Sequence, residues 1–144
     1  MQNIKFVGTP KRLLNEELVS SVLINFATCD GHKIDTLEYN FIDSEKMYSL
    51  NKDYLNHSTD TDIITFDYSE DKSIVAEVYI STEMMINNAN LNSQTVENEA
   101  VRLVSHALFH CLGYRDKSLK EKEIMRNKEE EFLSAVSRET KLDV

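Results

Sequence analysis

The sequence predicts one α+β domain of about four strands and about five helices. Three observations carry this. Apolar residues recur at a spacing of two in some segments and of three to four in others. Strand-like and helix-like segments follow one another with no internal repeat, low-complexity block or Pro/Gly linker between them. The 144 residues, 41% hydrophobic, suffice to bury a single core, so residues 1–144 are expected to form one domain.

The elements follow in order. Asn3-Ile-Lys-Phe-Val7 alternates like a short strand, and Thr9-Pro10 offers an N-cap and a first-turn proline for a helix. Leu14, Leu18, Val22 and Phe26 place an apolar stripe on that helix, which Asp30-Gly31 closes. Lys33 to Ile42 reads as a strand, with alternation clearest toward its end. Asp43-Ser44 caps a second helix carrying Met47, Leu50 and Tyr54. Thr61 to Phe66 and Ile74 to Ile80 are β-rich runs separated by an acidic turn, and are expected to be adjacent strands. Ser81 or Thr82 opens a third helix, to about Leu91. A fourth runs from about Thr95 and gathers Ala100, Val104, Ala107, Leu108 and Cys111 on one face. The last, about Leu119 to Glu139, mixes charge with Ile124, Phe132, Leu133 and Val136; it is expected on the outside, with Glu129-Glu-Glu131 as a solvated face.

Composition excludes several classes of function. A net charge of -9 and a pI near 4.9 argue against broad phosphate-driven adhesion to nucleic acid. No DNA partner is expected, and any RNA substrate needs a local patch to hold it. The apolar runs are too short to span a membrane. Two cysteines far apart, Cys29 and Cys111, and no leader-like N-terminal stretch predict a reduced, cytoplasmic protein.

The segment His106-Ala-Leu-Phe-His110-Cys-Leu-Gly113-Tyr-Arg-Asp116 carries the chemistry. Residues four apart on a helix share a face about 5–6 Å apart, so the two imidazoles can reach one cation. Gly113 sits where a helix stops, because a C′ glycine adopts the left-handed conformation without a Cβ penalty. Asp116 can then swing back to the same ion. Two neutral imidazoles, a carboxylate and a water make the ligand set of a catalytic zinc. A metallohydrolase is expected, against the blander alternative of two satisfied core or surface histidines. Ala107 stands where the zincin helix carries its glutamate base, which disfavours zinc-peptidase chemistry. Cys111 projects about 100° around the helix from His110 and is expected to fill core space as a small hydrophobe.

Read with Asn51-Lys-Asp-Tyr54, Thr61-Asp62-Ile-Ile-Thr-Phe66 and Ala76-Glu77-Val-Tyr-Ile80, this segment resembles the YbeY family of bacterial rRNA maturation endoribonucleases, whose blocks occur in the same order. The resemblance implies a small mixed sheet flanked by helices, with the metal site on the helix that ends near Gly113. It implies single-strand-specific, metal-dependent endoribonuclease action in rRNA processing, notably at the 3′ end of small-subunit rRNA, and in ribosome quality control. One zinc held by His106, His110 and Asp116 is the expected cofactor. Two departures stand out. Asp116 occupies the position of the family's third histidine, where a carboxylate still ligates zinc. Leu55 occupies the position of the family's functional arginine, so His57 or Lys52 is the candidate catalytic cation, His57 being equally an exposed loop residue.

Two further residues keep two readings each. Asp62 either fixes the tautomer of a ligating imidazole or caps a turn before its strand. Glu77 either faces the site as a base or points to solvent. The expected partners are rRNA and ribosomal particles, with a ribosomal protein or maturation GTPase supplying the positioning that an acidic surface does not. A non-catalytic assembly factor with a structural metal, or a metallohydrolase on a non-RNA substrate, are the alternatives.

Overall fold

The computed structural model describes residues 3–55 and 61–142. Its elements are β1 (Asn3–Val7), α1 (Glu16–Cys29), β2 (Lys33–Ile42), α2 (Ser44–Leu55), β3 (Ile63–Asp67), β4 (Ser73–Ser81), α3 (Thr82–Leu91), α4 (Val96–Cys111) and α5 (Leu119–Leu142). The four strands form one sheet in the order β1-β2-β4-β3. β1 and β4 run parallel to β2, while β3 pairs antiparallel with β4, so the sheet is mixed. The predicted α+β class and the adjacency of the two β-rich runs both hold.

Burial follows the alternation. Leu37, Tyr39 and Phe41 on β2, and Ile74, Ala76, Val78 and Ile80 on β4, form the core face of the central strands. The weaker alternation at the start of β2 has a structural cause. Ile34 pairs with Ile74 and Thr36 with Val75, so Asp35 is the extra residue of a bulge that shifts the pattern. Gly8 follows β1 at φ +72, and a Cβ there would stand 2.7 Å from the Phe41 carbonyl oxygen. Only glycine lets the chain turn that close to β2.

The predicted start of α1 is wrong. Thr9-Pro10 belongs to a turn in which the Leu13 amide donates to the Pro10 carbonyl at 3.1 Å, and Asn15 is the N-cap, its side chain accepting from the Leu18 amide at 3.1 Å. Thr9 Oγ1 accepts from no helix amide, whereas the Asn15 oxygen does, and a capping bond that is made decides the helix start. The buried face of α1 is accordingly Val19, Val22, Leu23 and Ala27, with Leu18 and Phe26 at its edge. The end was read correctly: Asp30 caps and Gly31 turns at φ +76.

The last helix packs on the outside of α4, as its charge suggested, yet it buries one stripe. Met125, Glu129, Phe132 and Val136 fall on one stripe, and all four are buried. Phe132 packs against Phe26 of α1 at 5.1 Å and Phe109 of α4 at 6.3 Å between ring centroids. Tyr39 joins the helical layer to the sheet, its buried hydroxyl donating to the Val104 carbonyl at 2.8 Å. These contacts fix α4, and with it the functional residues, between sheet and α5.

Candidate active site

Local signals bracket the segment that carries the predicted ligands. Thr95 caps α4 by accepting from the Asn98 amide at 3.0 Å. At its other end Gly113, φ +104, closes a Schellman motif: the Tyr114 amide donates to Phe109 at 3.0 Å and the Gly113 amide to His110 at 3.1 Å. The Tyr114 ring packs on that of Phe109, 5.7 Å between centroids, as the motif favours. Helix α5 opens with a capping box, in which Ser118 Oγ accepts from the Glu121 amide at 3.1 Å and Glu121 accepts from the Ser118 amide at 2.9 Å. The same amide holds the Glu121 carboxyl below its ordinary range. Asp116 therefore lies on a short connection fixed at both ends.

The result is a polar cavity of about 380 Å³ lined by Thr61, Asp62, Arg102, His106 and Asp116 among others. His106 Nε2 stands 3.5 Å from Asp116 Oδ2. On the other side of the ring, Nδ1 lies 2.7 Å from Glu129 Oε2. A carboxylate can only accept, so this bond places the hydrogen on Nδ1 and leaves Nε2 with a lone pair toward Asp116. Two acceptors then face one another. That arrangement is favourable only with a cation between them, a proton or a metal ion. Tetrahedral zinc with ligand bonds of about 2.0–2.1 Å separates neighbouring donors by roughly 3.3 Å, close to the separation seen. The residues present thus fit a small divalent ion on this pair.

The third predicted ligand is not drawn in. His110 is exposed on the last turn of α4, and among the described residues no group of three or more His, Cys, Asp or Glu side chains converges on one point. Of the remaining candidates, Asp62 reaches the cavity but does not touch the imidazole. It accepts from Asn88 Nδ2 at 3.1 Å and lies 4.0 Å from Arg102 Nη2, while its carbonyl accepts from the Ser81 amide at 2.9 Å. The role of fixing the tautomer belongs to Glu129 instead. Glu77 accepts from the Tyr79 hydroxyl at 3.3 Å on the half-open face of β4, away from the core-facing residues and the cavity. Lys52 is exposed in the last turn of α2. His57 lies outside the described residues.

Three residues of the network around His106 do not stand out in the sequence. The charged run around Glu129 suggests a solvated face, yet Glu129 is buried, 5% exposed, and bonds His106. Glu99, 2% exposed, binds Arg102 through two hydrogen bonds, Arg102 Nε to Oε1 at 2.9 Å and Nη2 to Oε2 at 2.6 Å. Arg102 Nη1 reaches Glu129 Oε1 at 3.4 Å. Hydrogen bonding to Glu99 raises the guanidinium pKa still further, so its charge is permanent. A signal was present: Glu129 falls on the Met125–Phe132 stripe, and a carboxylate on an apolar stripe requires a partner. A larger cleft of about 470 Å³, lined by Asn92, Gln94 and Asn98, lies on the far side of Arg102 and Glu129. It lacks the imidazole, so the smaller cavity is the candidate site.

Cys111 is 8% exposed, and burial, aided by the Asp67 carboxylate beside it, pushes its thiol up to about 12. It is neither nucleophile nor thiolate ligand at neutral pH.

A helix-borne histidine flanked by carboxylates at the mouth of a polar cavity, beside a mixed sheet, is the apparatus of a hydrolase. The chain belongs to the YbeY endoribonuclease family: the family model described as Endoribonuclease YbeY matches residues 9–137. It is 39% identical over 127 residues to the Endoribonuclease YbeY of Cytophaga hutchinsonii, covering 88% of this chain and 89% of that protein. It is 36% identical to that of Flavobacterium johnsoniae, covering 81% of each. The fold matches the solution structure of TM1509 from Thermotoga maritima, with a TM-score of 0.70 at 20% identity over 97% of this chain and 93% of that one.

Proposed function

We propose that this chain is a metal-dependent endoribonuclease that cuts single-stranded rRNA, at the 3′ end of small-subunit rRNA and in ribosome quality control. His106, Asp116 and His110 would hold one divalent ion, zinc by donor type. The observation that carries the reading is the facing of His106 Nε2 and Asp116 Oδ2 across 3.5 Å while Glu129 occupies Nδ1. When bound, such an ion polarises a phosphoryl oxygen and lowers the pKa of its water toward about 7.

The chain's own charges support a need for a cation. Asp62, Glu99 and Glu129 stand within 4.0 Å of the Arg102 guanidinium and Asp116 stands beside His106, so carboxylates outnumber that cation here and the cavity by itself repels a phosphodiester. Glu129 orients the imidazole, and Asn88 holds Asp62 in the cavity lining. With a net charge of -9, the protein relies on ribosomal particles, and on a ribosomal protein or maturation GTPase, to present the RNA end in the cytoplasm. Among the described residues no helix is long and apolar enough to cross a membrane.

A second reading, a non-catalytic assembly factor with a structural metal, is favoured by Leu55 at the family's arginine position. The deciding experiment incubates purified protein with single-stranded rRNA fragments and with ribosomal particles, with and without a chelator, beside a His106→Ala/His110→Ala variant. Cleavage that vanishes with chelator and in the variant supports the enzyme. Metal bound without cleavage of either substrate supports the assembly factor.

A further inference from the structure

The chain Glu99–Arg102–Glu129–His106 spans two helices, and its second member is a guanidinium that bonds both carboxylates. We propose that Arg102 is a positioning residue: clamped by Glu99, it presents the Glu129 carboxylate to His106 Nδ1 and so keeps Nε2 open to the cavity. The proposal rests on the reading of His106 as an ion ligand and adds the device that makes it one.

The geometry argues it step by step. Glu99, Arg102 and His106 lie on α4 at spacings of three and four, hence on one face, whereas Glu129 comes from α5. Both carboxylates are buried, side-chain exposures being 2% for Glu99 and 6% for Glu129, so each requires a partner. The bidentate bond to Glu99 uses the Nε–Nη2 edge of the guanidinium and fixes its plane. Nη1 is then directed at Glu129 Oε1, 3.4 Å away, leaving Oε2 for the imidazole at 2.7 Å. The cation serves two ends. It gives a buried carboxylate its partner, and it sets the direction in which that carboxylate accepts. A rotated Glu129 would no longer demand a hydrogen on Nδ1, and Nε2 would be free to take it. A lysine supplies the charge but not the planar fork.

The test is nitrogen NMR of the His106 ring in the full chain, stripped of metal and with the ring neutral, together with zinc affinity by chelator competition. Wild type should show the Nδ1–H tautomer. In Arg102→Gln the ring should shift toward Nε2–H and zinc should bind about 10–100-fold more weakly, the range for losing an outer partner of a metal ligand. Arg102→Lys should fall between. Should Arg102→Gln not fold, because Glu99 is left buried and unpaired, the Glu99→Gln/Arg102→Gln variant replaces the pair by neutral amides. A merely structural role predicts that it regains both fold and tautomer; positioning predicts that it regains the fold alone. If neither glutamine form folds, Arg102→Lys is read in the same way. An unchanged tautomer with zinc affinity within twofold of wild type overturns the proposal, as does an Nε2–H tautomer in wild type. A wild-type chain that shows Nδ1–H but binds no zinc sinks the metal reading and leaves the tautomer comparison to decide this one.

Discussion

His106 Nδ1 and Glu129 Oε2, 23 residues apart in sequence, meet at 2.7 Å across the α4–α5 interface. The bond ties the orientation of the candidate ligand to the docking of the last helix. Glu129→Ala is expected to destabilise the fold by about 1–3 kcal/mol, since it leaves Arg102 short of one partner and the imidazole without its acceptor. Urea unfolding measures this. A loss below about 0.5 kcal/mol would show that α5 docks through Phe132 and its neighbours alone.

Metal content depends on the His106–Asp116 pair. Asp116→Ala should weaken zinc binding by at least about tenfold, whereas Asp116→His, which places the family's usual donor there, should retain it. Elemental analysis after zinc supplementation, followed by competition titration, gives the comparison. Equal affinity in wild type and Asp116→Ala would remove Asp116 from the site.

Two of the three glycines at positive φ, Gly113 and Gly8, should respond differently to alanine. Gly113→Ala meets nothing within 4 Å and is expected to cost only the backbone strain, about 1–2 kcal/mol. Gly8→Ala adds a Cβ 2.7 Å from the Phe41 carbonyl oxygen, and should cost more, about 2–4 kcal/mol. Paired denaturation curves decide; the reverse order would show that the chain after β1 relaxes freely.

Thiol chemistry should separate the cysteines. Exposed Cys29 is expected to react with an alkylating reagent in the native protein while buried Cys111 does not. The sign of the pH effect follows. The folded thiol of Cys111 ionises near 12 rather than 9, so its contribution is fully present below about 9 and is lost as pH rises toward 12. Cys111→Ala should therefore flatten the alkaline limb of the stability curve.

Substrate presentation should dominate RNA cleavage. Naked rRNA fragments are expected to bind weakly, with a shallow salt dependence, and to be cut more slowly than the same sequence in ribosomal particles at matched concentration. His110→Ala serves as the contamination control. Naked RNA cut as fast as the particle would mean that no partner is needed.

Local patterns sufficed for much of this molecule. The strand alternation, the caps at Asp43, Ser81 and Thr95, and the stop at Gly113 are interactions among residues a few positions apart, so the sequence by itself determined the elements and the helix carrying His106 and His110. The start of α1 misled because two local signals competed and the oxygen of Asn15 won. Only the tertiary structure decided what each polar side chain faces. Glu129 sits in a charged run that reads as solvated, yet its partners are on another helix, and no spacing rule reaches across 23 residues. Asp62, just ahead of β3, lies 4.0 Å from Arg102, while Glu77, inside β4, lies on the open sheet face, and only the packed structure separates the two. Pairing between charges depends on distance and burial, which local spacing leaves open until the helices have packed.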